Sequence, residues 1–270
     1  MMRATTANAT VRPPAVAGLF YPDDPVELRE SVASYMAEAV TPSVPERPAA
    51  LVVPHAGYVY SGSTAAVAYR TLGPARDVRR VVLIGPSHRV HLQGVALPKF
   101  EAFATPLGVM QVDQELKRAL EGVAHVIEAN EPHRFEHSLE VQLPFLQVLF
   151  DEITFLPLVA GEASASDVAL ILERVAQSDD TIILASSDLS HYLTYAQAQK
   201  LDTRTSEMIL KREPTLSGYQ ACGAVPINGL LHFARSRDLS VQELARCNSG
   251  DTAGDRDRVV GYGAYALYEA

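Results

Sequence analysis

The sequence predicts an α/β protein in which a mainly parallel or mixed β-sheet is flanked by helices on both faces. Three apolar runs carry that reading: Ala50-Leu51-Val52-Val53, Arg80-Val81-Val82-Leu83-Ile84 and Thr181-Ile182-Ile183-Leu184-Ala185. Runs of this length without a polar alternation fit strands covered on both sides. Strand-like and helix-like segments also alternate along the chain, the pattern of βαβ units. Each run ends in small residues and a histidine, where open α/β sheets place their ligands.

The remaining elements follow in order. Residues 1–12 are polar and small, and are expected to be frayed or extended; 13–270 then form one domain, with residues 13–21 packing onto it as an extended segment. Asp24, Pro25 and Glu27 give the N-cap, first-turn proline and third-position acid of a helix, with Leu28, Val32, Tyr35 or Met36, and Ala39 recurring along it. A proline-rich connector follows over 41–48, then the strand at 50–53 and a helix over 63–72. Beyond the strand at 80–84, a long passage over 87–108 is expected to carry small strands or function. Asp113 caps a helix to about 121, and 124–127 reads as a strand. The apolar helix over 136–150 should kink at Pro144. Strand (153–159), helix (165–177), strand (181–186), helices (195–211 and 226–236) and a last strand (258–267) complete the chain.

Composition narrows the function classes. The chain has 270 residues, 47% hydrophobic and 20% charged, enough for a sizeable core. A formal charge of −9 without a basic block argues against nucleic acid or an anionic membrane as partner. The first residues do not resemble a signal peptide, no apolar run reaches membrane-spanning length, and Cys222 and Cys247 read as reduced buried thiols. These features lead to the expectation of a soluble, cytoplasmic protein. Neither G-x-G-x-x-G nor G-x-x-x-x-G-K-[ST] occurs, so no nucleotide cofactor is expected.

The chemistry converges on histidines. His55, His88 and His191 each follow a predicted strand, and imidazole is both a common metal ligand and the usual proton carrier near neutral pH. His55 and His88 follow two strands that can be sheet neighbours, which would point both side chains into one crevice. Asp188, three residues before His191, can orient that ring or cap the turn. His137 and Glu140 share a helix face that looks either to solvent or to the crevice. His133 reads as a loop residue, and His91, His125 and His232 have no partner in sequence and are assigned no role. The stretch Asn248-Ser249-Gly250-Asp251-Thr252-Ala253-Gly254-Asp255 reads either as a turn or as the source of a carboxylate, Asp251 or Asp255, beside two histidines.

Taken in order, Pro54-His55-Ala56-Gly57-Tyr58 with Tyr60-Ser61-Gly62, Gly85-Pro86-Ser87-His88, Thr105-Pro106-Leu107-Gly108, Glu136-His137-Ser138-Leu139-Glu140, Ser186-Ser187-Asp188-Leu189-Ser190-His191-Tyr192 and Asn248-Ser249-Gly250-Asp251 resemble the MEMO family. The likeness is to its prokaryotic branch, AmmeMemoRadiSam system protein B, and covers almost the whole chain. That resemblance implies a fold similar to class III extradiol dioxygenases of the LigB type, which hold non-haem Fe(II) with two histidines and a glutamate. By motif, His55 and His88 correspond to the metal-ligand histidines and His191, with Asp188, to the acid–base residue. Eukaryotic members carry a cysteine as third ligand. Counting back from Tyr262 places the matching point at Asp251 or Thr252 rather than Cys247, and Asp251 is the residue expected there. Tyr58, Ser87, His137, Glu140 and Tyr192 fall in the same motifs and are expected to contact substrate. The implied cofactor is Fe(II), with copper or zinc next; the implied ligand is a small molecule or peptide, and the implied partners are radical-SAM and AMMECR-type proteins. Two other readings of the same crevice are a non-catalytic binding module for a peptide or modified residue and a zinc-dependent hydrolase.

Overall fold

The computed structural model describes residues 10–42, 47–73 and 77–269. At its centre five strands run parallel: β6 (Gly108–Val112), β8 (Thr154–Ala160), β3 (Arg80–Pro86), β9 (Thr181–Ser186) and β2 (Ala50–Val53), in that order across the sheet. β12 (Val259–Tyr268) lies antiparallel against β2 and carries two further antiparallel strands, β11 (Ser240–Asn248) and β10 (His191–Leu193). At the opposite edge β5 (Ala102–Thr105) pairs antiparallel with β6 and parallel with β1 (Val11–Arg12), while β4 (Val95–Leu97) joins β7 (Val126–Glu128) to β8. The sheet is therefore mixed and the protein is a single α/β domain.

Both faces of the central strands are covered, which explains their unbroken apolar sequences. Leu51, Val53, Val81, Leu83, Ile182 and Leu184 pack with α1 (Pro25–Glu38), α2 (Tyr58–Arg70) and α5 (Leu143–Leu149). The alternate residues Ala50, Val52, Val82, Ile84, Ile183 and Ala185 pack with α6 (Ala165–Val175) and α8 (Ala224–Ser236). Strand side chains alternate between faces, so each strand feeds two cores. The remaining helices are α3 (Gln114–Ala119), the short α4 (Glu131–Arg134) and α7 (Tyr195–Leu210).

Several local readings hold for stated reasons. Asp24 accepts hydrogen bonds from the Val26 and Glu27 N–H groups, and Asp113 from those of Glu115 and Leu116, so both caps form. The passage over 87–108 does carry two small strands, β4 and β5.

Others change. The second helix begins at Tyr58, not near 63. Its internal Gly62 resembles a turn residue in sequence but serves packing: a Cβ there would lie 2.8 Å from Tyr35 Cε2. Pro144 does not kink a long helix. It occupies the first turn of α5, after a 3₁₀ turn at Glu140–Gln142, where its missing N–H costs nothing. The fraying expected over 1–12 falls outside the described residues up to residue 9, as does 43–46 of the proline-rich connector. Val11 and Arg12, by contrast, join the sheet as β1, and Arg12 is fully buried. Among the described residues no helix is long and apolar enough to cross a membrane.

Candidate metal centre

β9 lies between β2 and β3, so the strands that precede His55 and His88 are not neighbours as the sequence suggested. Parallel register puts Val53 beside Ser186 and Ile84 beside Ala185. The three chains consequently leave the sheet side by side, with Asp188 emerging between the two histidines. A cavity of about 570 Å³ opens there. His55, His88, His137, His191, Asp188 and Tyr192 all line it, along with Phe20, Tyr60, Tyr262 and Arg258.

The imidazoles are close and fixed. His55 and His88 have ring centroids 5.2 Å apart and nearly perpendicular, while His137 stacks on His88 at 4.6 Å. His55 is buried, with Nδ1 3.0 Å from Ser186 Oγ. Its Nε2 faces Cys222 Sγ at 3.2 Å. His88 is held by Glu136: its Nδ1 lies 2.9 Å from Oε1 and its backbone N–H donates to Oε2 at 2.7 Å. A ring nitrogen of His55, a ring nitrogen of His88 and Cys222 Sγ lie within 4.8 Å of one another, the spacing a single ion can bridge. His88, Glu136 and His137 form a second such group. Glu136 is poorly placed as a ligand there, because its carboxylate already accepts from His88 Nδ1 and from the backbone N–H groups of His88, His137 and Ser138. It is better described as the group that orients His88 and leaves Nε2 for a ligand.

Burial sets the protonation states. It drives the His55 pKa well below the ordinary histidine value, with the neighbouring histidines adding to the effect. It also lowers His137 to about 4 and lowers His191. The rings of His55, His137 and His191 are therefore neutral at physiological pH, and neutral imidazole is the form that binds a metal. Burial, reinforced by Asp188, pushes the Cys222 thiol up to about 12. Asp188 itself is raised to about 7 by burial, against the His55 and Ala56 N–H groups that favour its charge. For Glu136 burial is outweighed by the His88 hydrogen bond and charge and by the Ser138 N–H, which hold it down to about 2.

The other expected site residues fall as follows. Asp188 does not orient His191: its Oδ1 accepts the His55 N–H at 2.7 Å, fixing the His55 loop instead. His191 Nδ1 donates to Leu189 O at 2.8 Å, which leaves Nε2 as the basic nitrogen of the neutral ring. Asp251, expected as third ligand, lies outside the cavity lining and accepts from Tyr195 Oη and the Asn248 N–H. Thr252 bonds back to Ser249 O, and Cys247 faces Thr64. The loop reaches the cavity through Ser249, Gly254 and Asp255. Tyr58 is buried with its hydroxyl donating to Val141 O, Ser87 donates to Val90 O, and Glu140 is enclosed by Arg12 and Tyr21; none of the three lines the cavity.

Sequence reasoning missed Cys222 and Glu136. Cys222 comes from the turn before α8, where the Cys222 N–H reaches Asp188 O and the Gly223 N–H reaches Ser187 Oγ. Only glycine fits at 223, since a Cβ would lie 2.6 Å from Ser187 Cβ. A cysteine amid small residues at a helix start, as in Ala221-Cys222-Gly223, is the signal that was available.

Fold and site together define an α/β protein with a histidine-lined crevice at the carboxyl ends of its central parallel strands. The chain matches the Memo-like protein family over residues 12–266. It belongs to the MEMO family. MEMO1 family proteins of Thermoplasma volcanium (34% identical, 93% of this chain and 96% of that protein), Ignicoccus hospitalis (36%, 94% and 97%) and Aquifex aeolicus (35%, 93% and 97%) are similar over almost their whole length. Among solved structures, an uncharacterized protein of Escherichia coli K12 matches with a TM-score of 0.51 and 12% identity over 82% of this chain and 100% of that one, a likeness of fold alone.

Proposed function

We propose that the protein is a transition-metal-dependent enzyme that acts on a small molecule, with the metal held by His55, His88 and Cys222. The observation that carries this reading is the approach of two imidazoles that line the cavity, His55 and His88, and the Cys222 thiol to within 4.8 Å of one another. The donor set fits: two nitrogens and a sulfur suit Fe(II), copper or zinc, and a thiol in place of a carboxylate disfavours hard cations such as Mg²⁺ or Ca²⁺. Such an ion would supply Lewis-acid or redox chemistry to a substrate in the cavity.

The protein's own groups do the rest. His191 lines the same cavity and presents its unprotonated Nε2 to it, so it can take a proton from a bound substrate and return it. Glu136 and Ser186 fix the two ligand rings from behind. Asp188 locks the His55 loop, and Phe20, Tyr60 and Tyr262 form an aromatic wall of the crevice. The resemblance to LigB-type dioxygenases favours oxidative chemistry with Fe(II) or copper. The rival hydrolytic reading predicts activity with zinc in the absence of oxygen.

Equilibrium uptake of Fe(II), copper and zinc by protein purified without added metal tests this. One equivalent, lost in His55→Ala, His88→Ala and Cys222→Ser and kept in Asp251→Asn, is expected. No stoichiometric uptake of any of the three would leave a non-catalytic binding module as the surviving reading.

A further inference from the structure

One residue of the cavity is left without work by this scheme. Arg258 is the one arginine or lysine among the residues lining the cavity. Arg12, Arg80, Arg212, Arg237 and Arg246 each have a carboxylate within 4.0 Å, whereas Arg258 forms no ion pair among the described residues. Asp255, the carboxylate that lines the cavity beside it, turns its Oδ1 to the backbone N–H groups of Asp257 and Arg258 instead. What sets Arg258 apart from the other arginines without a carboxylate partner is its place in the cavity lining.

Its position is constrained. The guanidinium carbon lies over the Tyr192 ring, 5.1 Å from its centroid, a cation–π contact. Tyr192 is held in turn by the irregular β10–β12 register between His191 and Leu193 and by a left-handed backbone (φ 58°). Stacking on one face leaves the edge N–H donors of the fork free, the geometry that takes a carboxylate in a bidentate bond. Phe20, Tyr60 and Tyr262 line the same cavity and offer an apolar, partly aromatic wall.

We propose that Arg258, stacked on Tyr192, anchors a carboxylate of the substrate, so that the cavity takes an aromatic or apolar acid with its carboxylate at the Arg258 wall and its other end toward the histidines. A free small acid and the carboxyl end of a peptide share this chemistry. The inference rests on the cavity being the reaction site and extends that reading by naming the substrate class.

A carboxylate can also meet a bound metal, so the test uses metal-free protein. Phenylacetate and its neutral isostere phenylacetamide are titrated by calorimetry into wild type, Arg258→Gln and Arg258→Lys, with thermal unfolding as a check that each variant is folded. Wild type should bind the acid more tightly than the amide by about tenfold, as expected for a partly solvated charge-assisted bond. Arg258→Gln should remove that preference, and Arg258→Lys should keep part of it. Equal affinities for acid and amide in wild type, or an unchanged preference in Arg258→Gln, overturns the proposal. A short peptide ending in phenylalanine, as free acid and as amide, identifies the source: displacement of phenylacetate by the acid form alone assigns a peptide end, and no displacement assigns a small acid. Metal uptake is read separately. If neither wild type nor Arg258→Gln takes up metal, the metal reading fails while the Arg258 result stands on its own.

Discussion

Cys222 Sγ lies 3.2 Å from His55 Nε2, although 167 positions separate the two residues in the chain. The contact requires the turn before α8 to reach over the end of β9, and it puts a thiol, where Asp251 was expected to bring a carboxylate, beside the two histidines. Cys222→Ser should therefore weaken metal binding by more than about a hundredfold, beyond the 10–100-fold range typical of groups that only support a ligand. Asp251→Asn should change it by no more than about twofold, because Asp251 is engaged with Tyr195 and Asn248 away from the cavity. Competition titration with a chromophoric chelator measures both.

Metal uptake should depend on pH in a defined direction. The thiol of Cys222 is pushed up to about 12 by burial, so it carries its proton throughout the physiological range. The His55 pKa is lowered by burial, so that ring is already neutral. A metal ion must therefore displace the proton on sulfur, and affinity should rise about tenfold per pH unit between roughly 6 and 8 on that account. Calorimetry in buffers of different ionisation enthalpy should show release of about one proton per metal. In Cys222→Ser that release should vanish along with the steep pH dependence.

Glu136 joins fold stability to the site. Its carboxylate accepts the His88 ring and three backbone N–H groups, and its pKa is held down to about 2 from an unfolded value of 4.5. A depressed carboxylate pKa contributes stability that is fully present above the unfolded value and is lost as pH falls through the folded one. The stability difference between wild type and Glu136→Gln, about 1–3 kcal/mol for buried donors left partly unmatched, should therefore be constant above about pH 5 and shrink toward pH 2. Urea unfolding of metal-free protein across that range measures it. The same variant should bind metal about 10–100-fold more weakly, because His88 loses the group that fixes its ring.

How far the sequence disclosed this site depends on the range of the interaction involved. The strands before His55, His88 and Asp188 were legible because burial on both faces writes itself into consecutive apolar residues. The α1 and α3 starts were legible because Asp24 and Asp113 cap within three residues of themselves. Strand order was not legible: nothing in Ala50–Val53 or Arg80–Pro86 says that β9 is inserted between them. β11 escaped notice because it pairs at the edge of β12 with half-exposed residues that alternate irregularly, including a bulge between Glu243 and Ala245. Cys222 and Glu136 escaped for a shared reason, since each is defined by a partner far along the chain, His55 for one and His88 for the other.

Arg12 extends the same logic to the N-terminal segment. It is fully buried, and its guanidinium donates to the carbonyls of His133 and Glu136 and to Glu140 Oε2, each at 2.6 Å. Glu140 in turn accepts from the Ala15 and Val16 N–H groups and from the Tyr21 hydroxyl. Breaking a buried pair by removing one partner leaves an uncompensated charge and costs about 3–5 kcal/mol, so Arg12→Ala and Glu140→Ala should each lower stability by that amount in urea unfolding. Replacing both by apolar residues of similar size, Arg12→Met with Glu140→Leu, should recover part of the loss, since no charge is then stranded. The consequences should differ at the metal site. Arg12 grips the backbone of the turn whose side chain orients His88, and the segment after it carries Phe20, whose ring lies 4.7 Å from that of His137. Even the stability-restored double variant should therefore bind metal several-fold more weakly than wild type. Wild-type affinity in that variant would show that the ion pair holds the N-terminal segment in place without tuning the histidines.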